Sequence, residues 1–216
     1  MVNVHPPASF PGAPTGTTLA AGTPLFRIHS SRRTATDFNS RPAHCFYGGG
    51  RFDATVFDAY GFLYAGLTAA AAVCESLLRS VPFDADGSPR LVPRAAVRGR
   101  RLSFLRLGCD TLLVPLVSGR ELAAVAQDSW LVHADAADYP FTRHWGHWIR
   151  AEADWAEGLL WRSKREPDDG ALVLFADRCA PGVVRDAGPP AVDFDTSEGE
   201  EWLNSVLDPY HARLAP

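Results

Sequence analysis

The chain has 216 residues, of which 46% are hydrophobic and 21% are charged, and its formal net charge is −4. This composition is typical of a globular protein with one domain, or one domain with a tail, and excludes a disordered chain. The negative net charge disfavours a surface that coats nucleic acid, since such a surface needs a basic excess. Lys164 is the only lysine among the 21 basic residues, so nearly all positive charge is carried by arginine, the better phosphate ligand.

The cysteines and the N-terminus indicate the cellular compartment of the protein. The four cysteines are far apart in sequence and form no CxxC, so neither a zinc knuckle nor a disulfide scaffold is indicated. The N-terminus lacks the basic start and apolar run of a signal peptide. No apolar stretch reaches the roughly 18 residues of a membrane helix. We therefore expect a cytoplasmic protein with reduced thiols, no membrane association and no direct contact with nucleic acid.

The chain divides into three parts by composition. Residues 1–22 are rich in Pro, Gly and Thr and predict a flexible tail. Residues 23–180 carry the ordered pattern of a domain. Residues 181–216 indicate a loose acidic extension, in which Ser197-x-x-Glu200 predicts one short helix near residues 198–207.

Apolar periodicity and turn residues predict the elements of the domain in chain order. Strands are expected at residues 25–28, 60–65, 101–107, 111–117, 159–163 and 171–176. Helices are expected at residues 69–80, capped by Thr68 and ended by Pro82, at residues 119–127, capped by Ser118, and at residues 140–157. The turn around Asp169-Gly170 predicts a hairpin between the last two strands. Residues 82–99 are predicted to form an arginine-rich loop, and the sequence does not indicate its function.

Glu75 departs from the pattern of its predicted helix. Ala71, Ala72 and Leu78 lie beside it on the helix surface, so the carboxylate emerges from an apolar stripe. Burial of a carboxylate is costly unless it is paired or hydrogen-bonded. Two interpretations stay open, a surface ion pair with Arg79 at i,i+4 and a carboxylate at the floor of a cleft.

Two arginines lie in unusual contexts. The segment Gly48-Gly49-Gly50-Arg51 combines glycines, which let a backbone approach a ligand, with a cation that holds an anion. The alternative is a simple turn. Arg27 lies between Phe26 and Ile28 in an apolar strand, where a buried guanidinium needs an anionic partner. The alternative is an outward-facing residue at a sheet edge.

A serine and a pair of histidines complete the candidates. Ser163 ends a predicted strand, but no GxSxG surrounds it, so it is not the nucleophile of a hydrolase elbow. A turn residue is the alternative. His144 and His147 lie at i,i+3 on a Trp-rich helix, without a carboxylate at the spacing of a helical metal motif. We expect packing or solvated histidines and no metal.

Taken together, these segments resemble the RES-domain family, which is named for Arg, Glu and Ser. They occur in the order of the family pattern and cover about residues 24–178. The matching pieces are Phe26-Arg27-Ile28, Gly49-Gly50-Arg51-Phe52, Tyr64-Ala65, Ala71 to Glu75, and Gly158 to Ser163 followed by Val173-Leu174-Phe175.

The resemblance implies a fold, a substrate and a partner. The fold is an α/β (α+β) single domain similar to ADP-ribosyltransferases, with split, mostly antiparallel sheets and packed helices. The substrate is NAD⁺, whose nicotinamide–ribose bond is cleaved with water or inorganic phosphate as acceptor, so that NAD⁺ is depleted. The partner is an antitoxin with a helix-turn-helix domain. Transfer of ADP-ribose to a protein and a catalytically silent binding module are the alternatives.

The resemblance also implies roles for single residues. Glu75, Arg27 and Ser163 are implied as catalytic, whereas Arg51, Tyr64, Gly50 and Phe52 are implied as substrate-binding. The two arginines would hold the phosphates, Tyr64 would line the nicotinamide–ribose pocket, and Glu75 would stabilise the charge that develops on the ribose. Ser163 would hydrogen-bond the nicotinamide amide or the ribose. Phe52 departs from the commoner Trp but keeps an aromatic face, and His29 follows Ile28 where some members have an aromatic residue.

Overall fold

The computed structural model describes residues 3–9 and 12–216. Strands within these residues are β1 (Thr17–Leu19), β2 (Pro24–Ser30), β3 (Phe62–Gly66), β4 (Arg90–Val92), β5 (Arg100–Leu107), β6 (Thr111–Leu116), β7 (Gly158–Arg162), β8 (Gly170–Phe175), β9 (Val184–Asp186), β10 (Val192–Asp193) and β11 (Ala212–Leu214). Helices are α1 (Ala69–Val73), α2 (Gly119–Ala123), α3 (Trp130–His133), α4 (Tyr139–Glu152) and α5 (Ser197–Leu207). A π-helical turn (Cys74–Leu78) continues α1, and 3₁₀ turns occur at Arg94–Ala96, Ala136–Asp138 and Asp208–Tyr210.

A sheet of nine strands organises the part of the domain that the structure describes. Its order is β1-β6-β7-β8-β3-β2-β5-β10, with β9 also paired to β5. The β6–β7 pair is parallel, and the other pairs in this sheet are antiparallel. A second, parallel pair joins β4 to β11. This mixed, mostly antiparallel single domain with packed helices confirms the expected fold class.

Both faces of the main sheet are covered. Along β8, Val173 and Phe175 join the apolar cluster that contains Trp145 of α4. The alternating residues Leu172 and Leu174 join a cluster on the other face. Burial on both faces explains why this strand is a continuous apolar run rather than an alternating one.

The ends of the chain contribute more sheet than the sequence predicts. Strand β1 lies within the segment expected to be a tail and pairs with β6, while residues 1, 2, 10 and 11 of that segment lie outside the described residues. The extension expected to be loose supplies β9 and β10 to the edge of the sheet. It also supplies β11, which pairs with β4 from within the expected arginine-rich loop. These strands are two or three residues long, too short for a period of two to be recognised.

The helix that carries Glu75 changes type before that residue. Thr68 caps α1 as predicted, because its hydroxyl accepts a hydrogen bond from the N–H of Ala71. The chain then adopts a π-helical turn at Cys74–Leu78 instead of continuing as an α-helix to residue 80. Such turns are rare and frequently occur at functional sites. Gly66 permits the close contact of α1 with β3, since a Cβ atom there would lie 2.5 Å from the backbone nitrogen of Ala72.

Helix α4 holds the glycine segment in place. The guanidinium of Arg143 is almost fully buried and donates to the backbone carbonyls of His44 at 2.9 Å and Gly48 at 2.7 Å. The Thr142 hydroxyl donates to the carbonyl of Arg51 at 3.0 Å. The predicted Trp-rich helix is therefore confirmed, although it ends at Glu152 rather than near residue 157.

Candidate active site

A cavity of about 630 Å³ opens between β2, β3, the π-helical turn and the glycine segment. Its arginines are Arg27, Arg33, Arg41, Arg51, Arg79 and Arg100, and its carboxylates are Asp53 and Glu75. The volume lies within the range of small-ligand sites. The excess of guanidinium groups in a chain of negative net charge favours an anionic ligand.

The carboxylate of Glu75 is the most extensively hydrogen-bonded acidic group on the cavity wall. Its donors are Arg51 Nη2 at 2.5 Å, Arg79 Nη1 at 3.1 Å from both oxygens, Trp161 Nε1 at 3.1 Å, Ser163 Oγ at 3.2 Å and the backbone N–H of Lys164 at 2.9 Å. A carboxylate offers roughly four lone-pair sites, so these donors use all of its accepting capacity. The group is therefore fixed in position, and a ligand hydroxyl has to displace one of its donors.

Glu75 is ionised despite its burial. Burial is the largest single effect and raises the pKa of this carboxyl, but the charges of Arg51 and Arg79, together with hydrogen bonds, lower the pKa below its ordinary value. These hydrogen bonds come from the Lys164 backbone and the Trp161 side chain. Glu75 forms the ion pair with Arg79 that the first interpretation predicts. The Glu75 side chain is only 11% exposed, however, so the pair is buried and does not lie on the surface. The alternative of a carboxylate lining a cleft describes the position of Glu75.

The lowered pKa of Glu75 predicts how stability depends on pH. A carboxylate with a lowered folded-state pKa stabilises the fold above its ordinary value of 4.5, and the contribution is lost as pH falls through the lowered pKa. We expect the difference in unfolding free energy between wild type and Glu75→Gln to be constant from about pH 7 to about pH 5.5 and to shrink below about pH 4.5. Denaturant titrations at each pH measure this difference. A difference that stays constant down to about pH 3 would contradict the paired, ionised state.

Arg51 joins the carboxylate to the aromatic wall. Its guanidinium is buried and lies 4.9 Å from the ring centre of Trp161. Burial lowers the pKa of Arg51, and Glu75 opposes this effect. Its Nη1 is buried without a hydrogen-bond partner among the described residues. One donor of the fork is thus left for a ligand.

Arg27 lies on an interior strand and not at a sheet edge, since β2 pairs with both β3 and β5. The alternative of an outward-facing edge residue is therefore wrong. Its Nη1 donates to the backbone carbonyls of Ala35 at 2.6 Å and Asp37 at 2.7 Å. Burial lowers the pKa of Arg27 to about 10, an effect that Asp37 opposes. The guanidinium stays charged at neutral pH and lines the same cavity as Glu75.

Tyr64 and Gly50 lie together on the wall of this cavity. The Tyr64 hydroxyl accepts a hydrogen bond from the N–H of Phe52 at 2.9 Å. Burial, followed by the charge of Asp53, raises the pKa of Tyr64 well above its ordinary value, so the phenol is neutral. A Cβ atom at residue 50 would lie 2.7 Å from Asp53 Oδ1 and 3.1 Å from the Tyr64 hydroxyl oxygen. A larger residue at position 50 would therefore have to displace the side chain of Asp53.

Ser163 and Phe52 lie behind the cavity wall, which differs from the direct substrate contacts expected of them. Ser163 is fully buried at the end of β7, and its hydroxyl donates to Glu75. Phe52 is fully buried and packs on Trp161 at 5.4 Å between ring centres. In this arrangement Ser163 orients the carboxylate and Phe52 supports the indole. The order of the family motifs along the chain identifies both residues, but it does not indicate whether their side chains line the cavity.

Trp161 and Arg79 are site residues that sequence reasoning did not assign to the site. Trp161 lines the cavity and donates to Glu75, and Arg79 bridges both carboxylate oxygens. A signal for the tryptophan was present, because residues two apart on a strand point to the same face and Ser163 follows it by two. For Arg79, the i,i+4 spacing from Glu75 was the signal.

We expect Trp161→Phe to weaken the support of Glu75. The change keeps an aromatic ring but removes the Nε1–H donor to a buried charge, so the unfolding free energy should fall by about 1.5–3 kcal/mol. Urea denaturation measures this loss. Trp155→Phe is the matched control, since the Trp155 side chain is 39% exposed. Equal effects of the two changes would contradict the role of the indole N–H.

Comparisons with known proteins identify the family of this chain. The sequence matches the RES domain family over residues 24–197. The chain belongs to the RES domain family. The matched range extends past residue 180, where the domain was expected to end, and includes β9 and β10 of the main sheet.

The RES domain is also similar in fold to a solved structure. A chain in the crystal structure of the M. tuberculosis MbcT–MbcA toxin–antitoxin complex matches it with a TM-score of 0.55 and 17% sequence identity. The match covers 82% of this chain and 86% of that chain. At this identity the likeness shows the fold alone. No curated protein matches the sequence significantly.

The described part of the RES domain holds neither a side-chain cluster suited to a metal ion nor a membrane-spanning helix. Within residues 3–9 and 12–216, no cluster of three or more His, Cys, Asp or Glu side chains is arranged to hold a metal ion. Over the same residues, no helix has the length and apolar character needed to cross a membrane.

His147 of α4 packs against an aromatic residue. Its ring contacts the ring of Tyr60 edge-on, with 6.2 Å between the ring centres, and burial lowers the pKa of His147.

Proposed function

We propose that this RES domain cleaves the nicotinamide–ribose bond of NAD⁺ and thereby depletes cellular NAD⁺. One observation carries the proposal, an ionised carboxylate, Glu75, held by two arginines on the wall of a cavity rich in guanidinium groups. NAD⁺ combines a dianionic diphosphate with a cationic leaving group, and this site offers complementary charge to both parts of the molecule.

The reaction places specific demands on the site. The C1′–N bond breaks with its electron pair moving to nicotinamide, which leaves as a neutral molecule. Positive charge then develops on the ribose and is quenched when an oxygen of water or of inorganic phosphate bonds to C1′. With water, the proton is released to solvent. A fixed, ionised Glu75 beside the ribose would stabilise the developing charge without reorganisation, and electrostatic stabilisation of this kind often contributes most to catalysis.

The arginines would hold the diphosphate. Arg27 and Arg51 both line the cavity, and Arg51 keeps one buried donor unpartnered among the described residues. A hydrogen bond from a charged donor contributes roughly 1.5–3 kcal/mol. If the guanidinium of Arg51 turned toward the diphosphate, it would free an acceptor position on Glu75 Oε2 for a ribose hydroxyl. Tyr64, as a neutral phenol, would line the nicotinamide end.

We further propose that the RES domain is the toxin of a toxin–antitoxin pair. The similar fold found in the MbcT–MbcA toxin–antitoxin complex supports this proposal. The expected partner is a protein antitoxin with a helix-turn-helix domain. Expression of the chain alone in a bacterial host should arrest growth, and co-expression of such a partner should restore it. Harmless expression of soluble chain would contradict the toxin role.

Incubation of the purified chain with NAD⁺, with and without inorganic phosphate, tests the reaction. Mass spectrometry of the products should show free nicotinamide with ADP-ribose, or with the phosphorylated form of ADP-ribose when phosphate is the acceptor. Modified protein in place of either product would show an ADP-ribosyltransferase. Bound but intact NAD⁺ would show a silent module and overturn the proposal.

A further inference from the structure

A second cavity of about 540 Å³ lies beside the first. The two cavities share His29 and Arg33 as lining residues, so they adjoin at these two side chains. Arg32 and Arg101 line the second cavity and do not line the first.

The second cavity carries an excess of positive charge. Arg32, Arg33 and Arg101 form no ion pair within residues 3–9 and 12–216. Asp186 is the one carboxylate among the described lining residues, and it accepts a hydrogen bond from the N–H of Gly188 at 2.7 Å. Arg32 and Arg33 are exposed and Arg101 is half-buried, so an anion that enters this cavity meets positive charge without a competing carboxylate partner for these arginines among the residues described.

Fixed polar groups form the floor of this cavity. Arg101 Nη2 donates to the backbone carbonyl of Ser31, whereas its Nε is buried without a partner in the described part of the chain. His29 Nε2 lies 2.8 Å from Ser103 Oγ. Burial, then the charges of Arg27 and Arg101, lowers the pKa of His29. The site thus presents oriented donors within a positive field.

We propose that the second cavity binds a phosphate group. A guanidinium fork matches phosphate oxygens in a bidentate manner, and three arginines line this cavity without ionic partners among the described residues. The phosphate is either the phosphomonoester of a dinucleotide seated in the first cavity or free inorganic phosphate. The phosphomonoester alternative rests on the proposed binding of a dinucleotide in the first cavity, whereas binding of free phosphate does not.

Calorimetric titration of the full chain distinguishes the two sources. The probes are NADPH, NADH and inorganic phosphate, because the reduced nicotinamide is uncharged and resists cleavage. The test variant is Arg32→Ala, which changes an exposed residue of the second cavity only. The control is Arg213→Ala, an exposed arginine on β11 that lines neither cavity.

For a phosphomonoester, we expect wild type to bind NADPH about tenfold tighter than NADH, and the ratio to approach one in Arg32→Ala. For free phosphate, we expect Arg32→Ala to weaken phosphate binding about tenfold with no preference for NADPH. Either result supports the proposal when Arg213→Ala behaves as wild type. Changes in Arg32→Ala that are no larger than those in Arg213→Ala, for both the ratio and phosphate, overturn it.

Discussion

Replacement of Glu75 by Gln is expected to lower NAD⁺ turnover by about 10²–10³-fold while the fold survives. The amide keeps the size of the carboxylate but removes the charge that opposes the positive ribose. It also places an NH₂ group against donors, because every described partner of Glu75 is an N–H or an O–H group. The loss should therefore appear in kcat, since it concerns charge that develops in the transition state.

The controls for Glu75→Gln separate charge at the site from charge elsewhere. Asp135→Asn removes an exposed carboxylate that pairs with Lys164 outside the cavity, and it should keep wild-type turnover. Thermal unfolding of both variants establishes that they are folded. Wild-type release of nicotinamide by folded Glu75→Gln would falsify the assigned role.

Replacement of Arg51 by Ala is expected to raise the KM for NAD⁺ by about 10–100-fold, the equivalent of one charged hydrogen bond to phosphate. The carboxylate of Glu75 keeps its pair with Arg79, so turnover of bound substrate should change less than KM. The pKa of Glu75 should rise, because Arg51 is the first of the charges that lower it. Initial-rate kinetics over a range of NAD⁺ concentrations measure the split.

Arg162→Ala is the matched control for Arg51→Ala. Arg162 lies between Trp161 and Ser163 on β7, but its side chain is exposed and donates to the carbonyl of Asp168. Its loss should leave KM unchanged. An unchanged KM in Arg51→Ala as well would remove Arg51 from the substrate site.

The sequence predicted which residues meet better than how each one faces the site. Arg27, Arg51, Tyr64 and Glu75 come from separate segments, yet all of them line one cavity. Their order along the chain carried that prediction. Ser163 lies behind the carboxylate because it directly follows β7, and the position of β7 depends on long-range pairing with β6 and β8.

The fold was predictable where patterns were long. Strand β5 and helix α4 have enough residues for a period of two or of 3.6 to show, and both were predicted. Strands β4 and β11 have three residues each and depend on a partner more than a hundred positions away. The π-helical turn could not be predicted, because the residue types at Cys74–Leu78 are equally compatible with an α-helix.

In the proposed complex, NAD⁺ lies in the 630 Å³ cavity with its nicotinamide ribose at residue 75. A crystal structure of Glu75→Gln with NAD⁺ would show where the dinucleotide binds. We predict the diphosphate within hydrogen-bonding distance of Arg27 or Arg51, and a ribose hydroxyl within hydrogen-bonding distance of the residue 75 side chain. A dinucleotide bound elsewhere, with residue 75 still enclosed by its present donors, would contradict this placement.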